Sequence, residues 1–246
     1  MKPISIELVP RSIESLTKDL QVLQEQFPAV DMVNIPDLLR FDVRSWDACQ
    51  LAQISQSRTI PHIRAMDYPQ KDAEKLCAIL ADRGLDEILV VRGDPPQDMS
   101  RKVHSTTAAD LIRTIKEVAP NIRAYAALDP YRAGLQQELD SVREKLDAGA
   151  VGLFSQPLFD LRFMEIWRDQ LPGVEVYWGV SPVIKESTRR YWEVKNQAFF
   201  PASFEPTLEW NREFAKNCIE WSREQDQGLY FMPIRVEIAA YLEGLL

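Results

Sequence analysis

The residues able to do chemistry are few, and they fall at the ends of short apolar stretches. Glu7 stands between Ile6 and Leu8 in Ser5-Ile6-Glu7-Leu8-Val9. Successive side chains of a strand point to opposite faces, so Glu7 turns away from its two apolar neighbours. A carboxyl group facing a dry interior holds its proton to higher pH, as a general acid working near neutrality must. The plainer reading is an edge strand with Glu7 in solvent. Arg92-Gly93-Asp94-Pro95-Pro96 follows the apolar run Ile88-Leu89-Val90-Val91. Gly93 lets a ligand approach the backbone, and Asp94 then offers a carboxylate; a simple turn would use the same residue types. Other stretches end in Asn34 and Asp37, His62 and Arg64, Tyr125 and Asp129, Gln156, and Ser181, and the last leads into Arg235. Gln156 can donate and accept, which suits the edge of a heterocycle, or it caps the following helix. His62 within Ile60-Pro61-His62-Ile63 reads on its own as a satisfied core histidine. Lys145 falls in the last turn of a helical segment, where the helix dipole accounts for it. An unpaired buried polar group costs about 1–3 kcal/mol, so this many must satisfy one another or a ligand.

The elements that position these residues follow from periodicity. Short β-branched stretches alternate with longer segments of helical period. Strands are predicted at Ser5–Val9, Asp31–Ile35, Thr59–Ala65, Glu87–Val91, Ala124–Leu128, Gly152–Ser155, Glu175–Val180 and Leu229–Met232. Helices are predicted at Ser12–Gln26, Ser45–Ser55, Gln70–Arg83, Thr106–Val118, Arg132–Ala148, Leu161–Gln170, Glu186–Gln197, Thr207–Gln225 and Pro233–Leu245. In Arg132–Ala148, Leu135, Leu139, Val142 and Leu146 form one apolar stripe, and Gly149 ends the helix. Gln70–Arg83 repeats the plan with Ala73, Leu76, Cys77 and Leu80, then Gly84. The run of four apolar residues from Ile88 suits a parallel strand buried on both faces. Eight strand–helix units in roughly 250 residues match a single (β/α)8 barrel over residues 1–246. An open doubly wound sheet shares the alternation and is the alternative. In a barrel, all the strand ends named above meet at one mouth. Longer loops are expected at Asp98–Ser105 and Pro201–Pro206. Trp167, Trp192, Trp210 and Trp221 lie at helical positions and read as packing.

Composition excludes several function classes. Lys and Arg number 29 against 37 Asp and Glu, a net charge of −8, which is the wrong sign for a nucleic-acid partner. Apolar residues make up 46% of the chain, enough for a large core. No apolar run approaches the roughly 20 residues of a membrane span, so a chain that needs no membrane is expected. Glu7 comes too early for a secretory leader. The 3 cysteines, Cys49, Cys77 and Cys218, are far apart and suit reduced thiols in a cytoplasm. With 9 glycines, no GxGxxG or GxxxxGK[ST] phosphate cradle can be built. No metal-ligand spacing is seen.

Several strand-end motifs together resemble one family. Ser5-Ile6-Glu7-Leu8-Val9-Pro10 is similar to the first strand of methylenetetrahydrofolate reductases, and Ile60-Pro61-His62-Ile63 to their third. Ile88 to Pro96, with its Arg-Gly-Asp, is similar to the fourth. Lys145-Leu146-Asp147-Ala148-Gly149-Ala150 and Ser155-Gln156-Pro157-Leu158-Phe159-Asp160 resemble the fifth helix and sixth strand, and Gly179-Val180-Ser181-Pro182-Val183 the seventh. The resemblance implies a flavin-carrying barrel that reduces 5,10-methylenetetrahydrofolate to 5-methyltetrahydrofolate with NADH or NADPH. By position it implies Glu7 as general acid and Asp94 as the carboxylate near flavin and pterin. Gln156 would contact folate and nicotinamide. Asn34, His62, Arg92, Gly93, Asp94, Tyr125 and Lys145 would hold the flavin.

This chain departs from the family at the flavin's far end. The second strand ends in Asn34-Ile35-Pro36-Asp37 where Thr-Tyr-Gly-Ala is usual, and Thr107-Ala108-Ala109-Asp110 replaces Tyr-Ala-Ser-Asp. Glu144 replaces a base, and Asp129 a histidine. An acid there repels phosphate, by a few tenths to about 1 kcal/mol if exposed and more if dry. FAD, FMN and no flavin therefore all remain open. So do a flavin-free folate or methyl-transfer protein, a non-catalytic folate-binding subunit, and a site completed by a second copy or partner subunit. Phe200 and Phe204, in the stretch where the family grips folate, are aromatic but carry no assignment.

Overall fold

The computed structural model describes residues 3–95 and 102–246. Eight strands pair in parallel and in chain order into a closed barrel. They are β1 (Ile4–Glu7), β2 (Met32–Ile35), β3 (Thr59–Arg64), β4 (Glu87–Val91), β5 (Arg123–Leu128), β6 (Gly152–Pro157), β7 (Val176–Val180) and β8 (Gly228–Phe231). The ring closes where Ile4 of β1 lies opposite Leu229 of β8, and Ile6 opposite Phe231. That seam makes the fold a (β/α)8 barrel and removes the open sheet. Among the described residues no helix is long and apolar enough to cross a membrane.

The helices are α1 (Ile13–Gln26), α2 (Ser45–Ala52), α3 (Ala73–Asp82), α4 (Ala108–Val118), α5 (Leu135–Asp147), α6 (Leu161–Gln170), α7 (Glu186–Asn196), α8 (Leu208–Gln225) and α9 (Ile238–Leu242). Their starts are written locally. Thr107 accepts from the Asp110 amide while Asp110 accepts from that of Thr107, a capping box at the head of α4. Helices α3 and α5 stop where Gly84 and Gly149 take φ of +64° and +106°. Helices α2, α3, α5 and α9 are each shorter than expected by three residues or more, and α5 and α9 show a local cause. Gly134 is extended and serves as the N-cap of α5, so Leu135 sits at its first position and is 38% exposed instead of joining the stripe. The last helix begins at Ile238, not Pro233, because Arg235 takes a φ of +60° that no helix accommodates.

Alternation sorts the strand residues into two cores. Ile6, Leu8, Val33, Ile88 and Val90 pack outward under the helices. Met32, Ile60, Leu89, Tyr125, Phe154, Tyr177, Tyr230 and Met232 fill the lumen. The filling is largely aromatic: Phe154 stacks on Tyr177 at 4.5 Å, and Tyr125 meets both edge-on. At the N-terminal end of the barrel Glu87 pairs with Arg58 and Arg123, a charged floor beneath these rings. Strand β6 runs to Pro157, two residues past the predicted end, with a register shift against β7 between Phe154 and Pro157. Gly179 makes this possible, since a Cβ there would stand 2.6 Å from the Ser155 carbonyl.

Of the two expected loops, Pro201–Pro206 is present and packs into an aromatic cluster with Phe159, Trp192 and Trp210. Residues 98–101 of the other, and Pro96, lie outside the described residues.

Candidate active site

The C-terminal ends of β1, β2, β3 and β8 bring four polar side chains together. Ile6 and Leu8 lie in the outer core, so Glu7 turns to the lumen. The Tyr230 hydroxyl, from β8 across the closing seam, donates to Glu7 Oε2. His62 Nε2 lies 3.5 Å from the same hydroxyl. Asn34 is opposite Glu7 in the β1–β2 register and is fully buried. Neither polar atom of its amide makes a well-formed hydrogen bond, although the amide stands close enough to Tyr230 to ease the shift of that phenol. A buried amide without well-formed bonds is a free-energy cost unless a ligand supplies the partners.

Burial pushes the Glu7 carboxyl up to about 7, against the opposing pull of the Tyr230 hydrogen bond. Burial drives His62 the other way, to about 3, so its ring is neutral. Tyr230 is held well above the ordinary phenol range, by burial first and then by the adjacent carboxylate. Glu7 is half-buried and opens onto a cavity of about 220 Å³ that Arg11, Asp19, Ile234, Arg235 and Glu237 also line. A larger hollow of about 610 Å³ lies at the N-terminal ends of β7 and β8. Size does not select the site here; the mouth has the shifted acid and the under-bonded amide.

Asp94 shares this end of the barrel and, like Asn34, His62, Gln156 and Tyr230, does not line the cavity onto which Glu7 opens. Its side chain is 74% exposed and faces Arg132 at 3.6 Å, while Arg132 also pairs with Asp129 at 3.1 Å. Arg92 is exposed beside it. Gly93 has a φ of +86°, and a Cβ there would meet the Arg64 and Met66 side chains at 3.2 Å. The glycine serves the turn and its packing on Arg64. Gln156 stands near the end of β6, where the register shifts against β7, and is half-buried. It is not the cap of α6, a role Asp160 fills.

Two residues expected at the flavin are elsewhere. The Tyr125 hydroxyl points to the floor, 3.0 Å from Arg123 and 3.2 Å from Arg58. Lys145 reaches from α5 to the Ala127 carbonyl at 2.9 Å and to Glu138 at 3.3 Å. Asp37 and Ser181 are structural too: Asp37 grips Arg44, and Ser181 donates to the Met232 carbonyl. Phe200 stacks on Phe159 at 4.3 Å, and Phe204 is buried against Trp210, so both rings are occupied. Tyr230 was missed by the strand-end reading, although it alternates with Gly228 and Met232 on the lumen face. Its importance depends on β8 meeting β1, which no local pattern states.

This donor set fits one flat heterocycle: Asn34 and Gln156 offer amide edges, and Glu7 a proton. Several of the bases that a dinucleotide would call on are committed elsewhere. Among the described residues, Lys145 is bound to backbone and Glu138, His62 faces Tyr230, and Arg64 and Arg132 are paired with carboxylates.

Comparison with known proteins gives the family. The family model described as methylenetetrahydrofolate reductase matches residues 16–209. The 5,10-methylenetetrahydrofolate reductase of Pectobacterium carotovorum subsp. carotovorum is 28% identical over 130 residues, 50% of this chain and 43% of that one. That of Escherichia coli K12 matches to the same extent, 28% over 130 residues, covering 50% of this chain and 43% of that one. The chain thus aligns with less than half the length of these relatives. Among solved structures, a Clostridium thermocellum protein described as binding two copies of 5-methyl-5,6,7,8-tetrahydrofolic acid superposes with a TM-score of 0.68. It shares 12% identity and covers 98% of this chain and 93% of its own. Orotidine 5'-phosphate decarboxylase from Pyrococcus horikoshii OT3 gives a TM-score of 0.55 at 9% identity, over 97% of this chain and 95% of its own. At these identities the superpositions speak for the barrel alone.

Proposed function

The chain belongs to the methylenetetrahydrofolate reductase family, and from that premise we propose that it binds a reduced folate at the barrel mouth and reduces 5,10-methylenetetrahydrofolate to 5-methyltetrahydrofolate. The observation that carries this reading is the lumen-facing Glu7 carboxyl, held by burial at about 7 and so still able to give a proton at neutral pH. The buried Asn34 amide opposite it and Gln156 near the end of β6 match the donor and acceptor edge of a pterin. The folate-binding neighbour on the same barrel supports the same ligand class.

The reaction balances with one proton and one hydride. Glu7 gives its proton to the side-chain nitrogen of the bridged folate as that nitrogen's bond to the bridging carbon breaks. The carbon stays on the ring nitrogen as an iminium. A hydride from NADH or NADPH converts it to the methyl group, and the nicotinamide leaves oxidised. The acid and amides at the mouth suit one heterocycle, and Lys145 and Tyr125 are committed away from a flavin pyrophosphate, so no step is assigned to a flavin. Turnover of 5,10-methylenetetrahydrofolate with NADH or NADPH, by protein whose visible spectrum lacks a flavin band, is the expected result. Binding of reduced folate without reduction would make the chain a folate-binding subunit, and release of FAD on denaturation would restore the flavin-dependent route.

A further inference from the structure

A carboxylic acid can carry its proton on either oxygen, and only one of Glu7's accepts from Tyr230. Tyr230 decides which. Its hydroxyl has a single proton, donated to Glu7 Oε2. No described residue bonds Oε1, and Glu7 lines the cavity of about 220 Å³. With its proton committed, the phenol oxygen can only accept, and His62 Nε2 lies 3.5 Å from it. A neutral imidazole carries one ring proton. Placed on Nε2, it completes a row from His62 through Tyr230 to Glu7, contributed by β3, β8 and β1. Asn34 from β2 flanks the row, and its amide eases the upward push on the Tyr230 phenol. The charged groups sharing the cavity with Glu7 are Arg11 ahead of α1, Asp19 on α1, and Arg235 and Glu237 beyond β8.

We propose that Tyr230 is the positioning residue of the Glu7 acid: by holding Oε2 it places the transferable proton on Oε1, toward the ligand, and His62 in turn fixes the phenol. This rests on the reading of Glu7 as proton donor. The chemistry needs both halves. An unpinned carboxyl would rotate and present its proton half the time to the phenol. A pinned one presents it always to the substrate.

The test titrates Glu7 by difference infrared spectroscopy, with the carboxyl band identified by its loss in Glu7→Gln, alongside turnover against pH. Tyr230→Phe removes the donor and keeps the ring. The Glu7 midpoint should rise by about one pH unit, the scale of a hydrogen bond to a charged group. Turnover number should fall tenfold or more, with the KM for folate within about twofold. Substituting 3-fluorotyrosine at position 230 makes the phenol a stronger donor and should move the midpoint the opposite way, which mere packing would not do. Midpoints unmoved in both proteins would overturn the proposal, whatever the turnover. Shifted midpoints in a protein with no reductase activity would uphold the positioning and sink the proposed reaction.

Discussion

Arg64 Nη2 lies 2.6 Å from the carbonyl oxygen of Asp94, and its Nε lies 3.0 Å from Asp67. A side chain of β3 thereby holds the backbone that leaves β4, and with it the rim on which Asp94 and Arg92 stand. Arg64→Leu cuts that tie without touching Glu7. The expected outcome is a several-fold rise in folate KM, about 1 kcal/mol of lost positioning, with turnover number changed less. Steady-state kinetics over a range of folate concentrations checks it. Equal losses in both constants would place Arg64 in the chemical step.

The Glu7 shift also predicts a pH dependence of stability. Its carboxyl goes from the ordinary 4.5 to about 7 on folding, so the folded protein binds the extra proton. That contribution is fully present below 4.5 and is lost as pH rises through about 7. His62 has the opposite sign. Its lowered value, about 3 against 6.5, costs stability as pH falls below 6.5. The two oppose each other between 4.5 and 6.5. Above pH 7 only the Glu7 cost remains, so Glu7→Gln should be more stable than wild type there by up to about 3 kcal/mol. The same variant should lose a factor of about 10²–10⁴ in folate reduction. Urea denaturation at pH 5 and 8 measures the first effect; a gain no larger at pH 8 than at pH 5 would show that Glu7 is not held protonated.

Tyr125 separates a floor residue from a ligand residue. Its hydroxyl bonds Arg58 and Arg123 far from the mouth. Tyr125→Phe should lower stability by about 1 kcal/mol and leave folate affinity unchanged. Glu87→Gln strips the counter-charge from Arg58 and Arg123, whose side chains are 30% and 50% exposed, so about 1–3 kcal/mol is expected. Thermal melts with and without folate distinguish the two roles. A change in folate affinity in Tyr125→Phe would return that residue to the site.

Cys49, Cys77 and Cys218 are all buried as free thiols. Burial pushes Cys49 and Cys218 well above the ordinary thiol range, so neither is a thiolate in the native protein. A thiol reagent should label these two only as fast as the chain unfolds, and in denaturant all 3 cysteines should react at once. Rapid native labelling of Cys49 or Cys218 would mean that the helix layer opens locally.

The sequence by itself determined the repeating unit, the strand positions to within about two residues and the direction of Glu7. These are local properties: apolar period, helix stops at Gly84 and Gly149, and the alternation Ile6-Glu7-Leu8. It also carried the family in its strand-end motifs. It could not say which alternating residues meet across the lumen. Tyr125 and Tyr230 are both tyrosines on the lumen face, yet one closes the floor and the other holds the acid. Height along the barrel axis separates them, and that height is set by the register and closure of eight strands. Lys145, at the end of a helix, was spent on the Ala127 carbonyl for the same reason. Pairing between β8 and β1 joins residues more than two hundred positions apart in the chain, so the contact between Tyr230 and Glu7 exists only once the barrel is shut.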